Sequence, residues 1–178
     1  MIKSLPLFLT FFLTILLFGQ EKKTGPIIQD YGQVWSIENP EYRVETETEF
    51  KVVFDIMNSP EDVNQRNASI ETAARFLNMH GQSGVTKENM KVALVVHNKA
   101  SKDIITNEAY KARYGIDNPN AGMVQQLMDA GVEFIFCGQS SLSRNFPIEE
   151  TISGVQLSLS AMTALIQLQN DGYRLIKF

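Results

Sequence analysis

Val132-Glu133-Phe134-Ile135-Phe136-Cys137-Gly138-Gln139-Ser140-Ser141-Leu142-Ser143-Arg144 is the stretch that decides the fold of this 178-residue chain. Val132 to Cys137 is apolar at nearly every position, Gly138 breaks the run, and a polar segment suited to start a helix follows. A short, continuous apolar run reads as a strand covered on both faces. Two other runs share this character. Lys51 to Met57, in a domain that starts at Phe50, is rich in β-branched residues and is bounded by Asn58-Ser59-Pro60. Val92 to Val96 leads into His97-Asn98-Lys99.

Helical signals separate the runs. Ile70, Ala73, Ala74 and Leu77 recur at helical spacing and predict a helix from about Glu61 to His80, stopped by Gly81. Thr106 opens a short helix ending near Gly115. Asn118-Pro119-Asn120 caps another, with Met123, Val124, Leu127 and Met128 on its apolar face and Gly131 at its end. Beyond the quoted stretch, Ile148 to Thr151 reads as a turn or short helix and Gly154 to Leu157 as a fourth strand. A helix over Ser158–Gln169 and a last strand over Tyr173–Phe178 complete the order. Strands alternating with helices predict an α/β fold: three layers, with a mostly parallel sheet of about five strands flanked by helices.

The first 49 residues differ from the rest. Lys3, the apolar stretch Leu5 to Phe18 and the charged run Glu21-Lys22-Lys23 read as a signal peptide over residues 1–20, cleaved near Gly19 or Gln20. The expected location is therefore outside the cytoplasm, in the periplasm. An uncleaved membrane anchor is the alternative, although the stretch is short of the about 20 apolar residues a bilayer span needs. Residues 21–49 read as an extended arm before the domain at 50–178. Tyr31, Val34 and Trp35 in it are apolar enough to pack either on their own subunit or on a neighbour.

Charge and composition exclude several classes. Residues 1–20 hold one lysine and no acid, so 16 basic and 20 acidic residues become 15 and 20 in the mature chain, a balance of −5. That opposes nucleic-acid binding and docking to anionic lipid. One cysteine and two histidines, with no metal-ligand spacing, give no expectation of a metal site, and no cofactor is expected. Phosphate loops and Gly-x-Ser-x-Gly are absent from the sequence.

Ligand crevices in parallel α/β sheets lie at the carboxyl ends of the strands. The residues expected on that rim are Asn58 and Ser59, His97 to Lys99, and Cys137 to Ser141. Cys137 has two readings: a small buried hydrophobe, or a thiolate favoured by the N–H groups of the helix starting behind it. His97 either caps its loop or acts as a base toward Cys137. Asp55, inside the first strand, needs a partner if buried. His80, at a helix end, reads as structural.

Lys51 to Met57 with its helix, Lys91 to Asn98, the quoted stretch and the closing Gly172-Tyr173 strand together resemble the DsrE/DsrF-like sulfur-relay family over about residues 50–178. The resemblance implies a small layered α/β fold with a parallel sheet and homo- or hetero-oligomers, often trimers or hexamers. It also implies that Cys137 matches the cysteine that accepts sulfur as a persulfide and hands it to a partner thiol, with Arg144 where such members often carry a basic residue. An export signal departs from the cytoplasmic relays. Two functions follow as expectations. One is an exported sulfur carrier with Cys137 as acceptor, His97 as base, and Asn98, Gly138, Ser140, Ser141 and Arg144 as the binding set. The other is a non-catalytic oligomeric module that binds a small ligand or protein, with Cys137 structural.

Overall fold

Five strands and five α-helices follow one another in a computed structural model that describes residues 21–177; the expected signal peptide and Phe178 lie outside the described residues. The strands are β1 (Phe50–Ile56), β2 (Met90–Val96), β3 (Glu133–Cys137), β4 (Gln156–Ser158) and β5 (Arg174–Ile176). All pair in parallel in the order β4-β3-β2-β1-β5. The helices are α1 (Ala68–Gln82), α2 (Asn107–Tyr114), α3 (Ala121–Asp129), α4 (Gly138–Arg144) and α5 (Ala161–Asn170). The expected three-layer α/β architecture is therefore present, with a sheet that is wholly parallel. None of the described helices is long and apolar enough to cross a membrane.

The strand order explains the layers. From β1 the chain steps to β2, β3 and β4 in one direction, then returns past β1 to place β5 on the far side. Parallel crossovers keep one hand, so reversing the direction of travel puts the connecting helix on the opposite face. The larger core lies on the α1 and α3 side, where Ile70, Leu77, Val124 and Leu127 meet Phe54, Leu94, Val96, Phe134 and Phe136. On the other side α5 presses Ala161, Ala164 and Leu168 onto Val53, Ala93, Val95 and Cys137.

Element boundaries shift from the sequence expectation for local reasons. Helix α1 starts at Ala68 rather than near Glu61, because Asn67 caps it by accepting the Ser69 N–H at 2.9 Å. The preceding residues instead form a turn closed by Asp62, which accepts from the Asn64 N–H at 2.9 Å. The helix runs through Gly81 and ends after Gln82; Gly84, at φ +93°, is the residue that takes the left-handed conformation. Asn120 does not cap α3 with its side chain, because its Oδ1 accepts the Asn67 N–H at 2.8 Å. Helix α5 begins at Ala161, capped by Ser160, so the fourth strand ends later than expected, at Ser158. A 3-10 helix over Asn98–Ile104, for which the sequence held no periodic signal, follows β2.

The first part of the arm is fixed to its own chain. Ile28 is 1% exposed and joins the larger core. The buried Asn78 of α1 accepts the Ile28 N–H at 2.8 Å and donates to the carbonyls of Ile28 and Tyr31, each at 2.9 Å, and of Gly32 at 3.1 Å. Gly32 is obligatory: a Cβ there would come within 2.4 Å of the Ala74 carbonyl carbon. Val34 is buried too, whereas Trp35 beyond it stays 48% exposed. Asn78→Ala strands these buried backbone groups and is expected to lower unfolding free energy by about 2–3 kcal/mol. Urea denaturation with an unchanged m-value checks this; a loss below about 0.5 kcal/mol would mean the arm contributes nothing to the fold.

Candidate active site

Cys137 ends β3 and stands at the N-cap of α4, so one residue closes a buried strand and opens a helix. Its side chain faces the α5 side of the sheet, and the residue is 5% exposed. Burial is the largest single influence on the thiol and pushes its pKa up. Against burial stand the Ser140 backbone N–H and hydroxyl, the Ala161 N–H and the Gln139 N–H, which together hold the thiol below the ordinary cysteine value. Gln139 and Ser140 lie in the first turn of α4, and Ala161 is the first residue of α5. N–H groups at two helix starts therefore lie near one sulfur, which closes no N-cap hydrogen bond onto α4, and their partial positive charge is the environment that favours a thiolate.

The expected binding residues divide into those that gather here and one that does not. The Asn98 N–H donates to Ser140 Oγ at 3.0 Å, which leaves the Ser140 hydroxyl proton for the sulfur. Asn98 takes φ +53° to do so, and its Oδ1 accepts from the Arg144 guanidinium, so Arg144 faces back toward the rim. Ser141 turns inward and donates to the Phe146 carbonyl at 2.8 Å. Gly138 serves a close approach, but by the chain itself. A Cβ there would meet the Ser158 carbonyl oxygen at 2.7 Å, so the loop from β4 to α5 packs directly on its backbone. That loop carries the Ala161 N–H to Cys137, a contribution no local sequence pattern announces.

His97 sits next to Cys137 in the lattice of strands. Val96 pairs with Phe136, so the residues that follow each are neighbours across about 4.8 Å of strand spacing. Its ring, however, is engaged on the other side: Nε2 lies 2.7 Å from Asp55 Oδ1 on β1. Lys177, just past β5, donates to Asp55 Oδ2 at 3.1 Å. Burial pushes the Asp55 carboxyl up, but the hydrogen bonds and charges of His97 and Lys177 outweigh it and hold the pKa below the usual carboxylate value. The partner that a buried Asp55 requires is thus His97. His80 bonds its own helix through Nδ1 and Phe76 O at 2.8 Å and lies against Phe76 and Phe50.

The remaining rim is structural. Asp103 is fully buried. Its carboxylate accepts from Ser59 Oγ at 3.0 Å, Asn67 Nδ2 at 2.6 Å, Lys102 Nζ at 3.1 Å and Asn120 Nδ2 at 3.3 Å. Burial lifts its pKa above the ordinary value, and those donors pull against the lift. Ser59 is therefore occupied in tying the loops after β1 and β2 to the start of α3. Among the described residues no cluster of three or more His, Cys, Asp or Glu side chains could hold a metal ion. Ser140→Ala removes one hydrogen bond to the thiolate, and such a bond to a charged group is worth about 1.5–3 kcal/mol. The thiol pKa is expected to rise, slowing alkylation of Cys137 by iodoacetamide at neutral pH about tenfold; an unchanged pH–rate profile would show that Ser140 does not set the thiol.

Comparison with solved structures finds the same architecture. A protein of unknown function, MTH1491 from Methanobacterium thermoautotrophicum, is 17% identical with a TM-score of 0.54, over 73% of this chain and 100% of that one. The ychN protein from E. coli is 16% identical with a TM-score of 0.55, over 72% of this chain and 99% of that one. At these identities the likeness speaks to fold. No curated protein matches the chain. The sequence profile of the DsrE/DsrF-like family matches residues 51–178, which takes in every strand but the first residue of β1 and all five helices. The chain belongs to the DsrE/DsrF-like family.

Proposed function

We propose that this protein is an exported thiol sulfur carrier in which Cys137 takes up sulfane sulfur as a persulfide and passes it to the thiol of a partner protein. The observation that carries the reading is the convergence of N–H groups from α4 and α5 on the Cys137 sulfur, which lowers the thiol pKa against burial. A stabilised thiolate is the nucleophile sulfur exchange requires, and the same donors suit the charge of a persulfide anion. Arg144, held toward the rim by Asn98, adds positive charge beside the site. His97 is the base of the exchange.

Export rests on residues 1–20 of the sequence alone. Assembly into a homo-oligomer, a trimer or hexamer, draws support from the outer face of α5, where Met162 is 73% and Ile166 59% exposed. Large apolar side chains grouped on one helix face are a common mark of an interface. The low exposure of Cys137 favours a second reading, a non-catalytic binding module in which the cysteine only packs.

Mass spectrometry after incubation of the folded protein with a sulfane-sulfur donor separates the two. The carrier gains one sulfur atom on Cys137, a reductant removes it, and Cys137→Ser gains none. A native protein that takes up no sulfur, and whose thiol reacts with an alkylating probe only after denaturation, would leave the binding module as the function.

A further inference from the structure

Lys177, just past β5, and Asp55 on β1 stand level, and His97, just past β2, and Cys137 on β3 stand level two residues further along, so the four form a stepped row across adjacent strands. The strand pairings put Asp55 level with Val95 and Val53 level with Leu175, so the side chains that alternate onto the α5 face beyond them fall in sequence along the carboxyl rim. Within this row Lys177 holds Asp55 and Asp55 holds His97. Cys137 occupies the place next to His97 on the neighbouring strand.

A carboxylate bonded to one ring nitrogen of a histidine fixes the orientation of the ring and the identity of the nitrogen left over. Here Asp55 takes Nε2, and Nδ1 has no hydrogen-bond partner among the described residues. Asp55 is itself fixed: it is nearly buried, and its second oxygen is held by Lys177. The residue after His97, Asn98, anchors the Ser140 hydroxyl that serves the sulfur. One loop therefore carries both the histidine and the residue that anchors the thiol's hydrogen-bond donor. A surface ion pair would need none of this arrangement.

We infer that Asp55 is a positioning residue, which holds His97 so that its Nδ1 donates and accepts the proton of sulfur exchange at Cys137. The inference rests on Cys137 being a sulfur carrier. The step it serves balances as follows. The Cys137 thiolate attacks the outer sulfur of a donor persulfide, R–S–SH. A new S–S bond forms to Cys137, the donor's S–S bond breaks, and its electron pair leaves on R–S⁻. His97 Nδ1 takes the proton of Cys137–S–SH and passes it to that sulfur, and R–SH departs. A Cys137 persulfide anion remains, and the imidazole is left as it began. Sulfane sulfur moves from one thiol to another with no net oxidation.

Alkylation offers a contrast, because iodide leaves iodoacetamide without needing a proton. Both reactions are measured on the full chain as wild type, Asp55→Asn, Asp55→Glu and His97→Gln: sulfur transfer from a small alkyl persulfide by mass spectrometry, and alkylation of Cys137 by iodoacetamide. Asp55→Asn is expected to slow sulfur transfer about tenfold or more, while alkylation changes less than about twofold. Asp55→Glu recovers part of the loss. His97→Gln slows transfer similarly, and adding Asp55→Asn to it costs little more, because the two act as one unit. Equal losses in transfer and alkylation would reduce Asp55 to a structural role, and unchanged transfer would overturn the inference outright. If Asp55→Asn does not fold, His97→Gln carries the same comparison. A wild type that accepts no sulfur at all contradicts the carrier function itself, an outcome distinct from either failure of Asp55.

Discussion

The parallel pairing of β2 with β3, which sets Val96 opposite Phe136, is the constraint on which the site depends. It aligns His97 and Cys137 at the same height on one rim. A slip of one residue would turn every side chain of β3 to the other face. Phe134 and Phe136, both fully buried, would then leave the larger core, and Cys137 would leave the α5 side. Burying those two rings stabilises the register by several kcal/mol, at roughly 25 cal/mol per Å² of apolar surface. The chemistry of the site is thus secured by packing on the opposite face of the same strand.

The two faces of the sheet do different work. On the α1 and α3 side, apolar packing is extended by the clamp of Asn78 on the arm and by the network around Asp103. The Asp103 network ties the loops after β1 and β2 to the start of α3 at the rim, while Asn78 holds the arm further along α1. On the α5 side the core is small and ends at the sulfur. The thiol is therefore nearly enclosed, yet it is surrounded by N–H groups rather than by hydrocarbon alone. Burial and polarity act in opposite directions on it, and the donors from α4 and α5 prevail.

The layered fold was legible because its signals are local and strong. The runs Lys51 to Met57, Val92 to Val96 and Val132 to Cys137 are short and apolar at nearly every position, the pattern of a strand covered on both faces. Cys137 could be placed at a strand end for the same reason. Helix starts were less legible where the capping side chain is committed elsewhere. Asn120 resembles a cap in sequence but binds the Asn67 backbone 53 positions earlier. The site's long-range partners had no local signature. Ala161 reaches Cys137 because the β4-to-α5 loop packs on Gly138, and Asp55 finds His97 across a strand pair. Such contacts arise from the crossover geometry of the sheet, and spacing along the chain does not encode them.

The most direct test of the account is the ionisation of the Cys137 thiol in the native protein, followed by thiolate absorbance in the ultraviolet as pH is raised. The account requires a midpoint below the ordinary cysteine value of about 8.5, so that the thiolate appears at lower pH than in the unfolded chain. The signal should be absent in Cys137→Ser and should move up to the ordinary value on denaturation. A native midpoint at or above about 8.5 would mean that burial prevails over the converging N–H groups, and would contradict the claim that this fold prepares Cys137 for sulfur exchange.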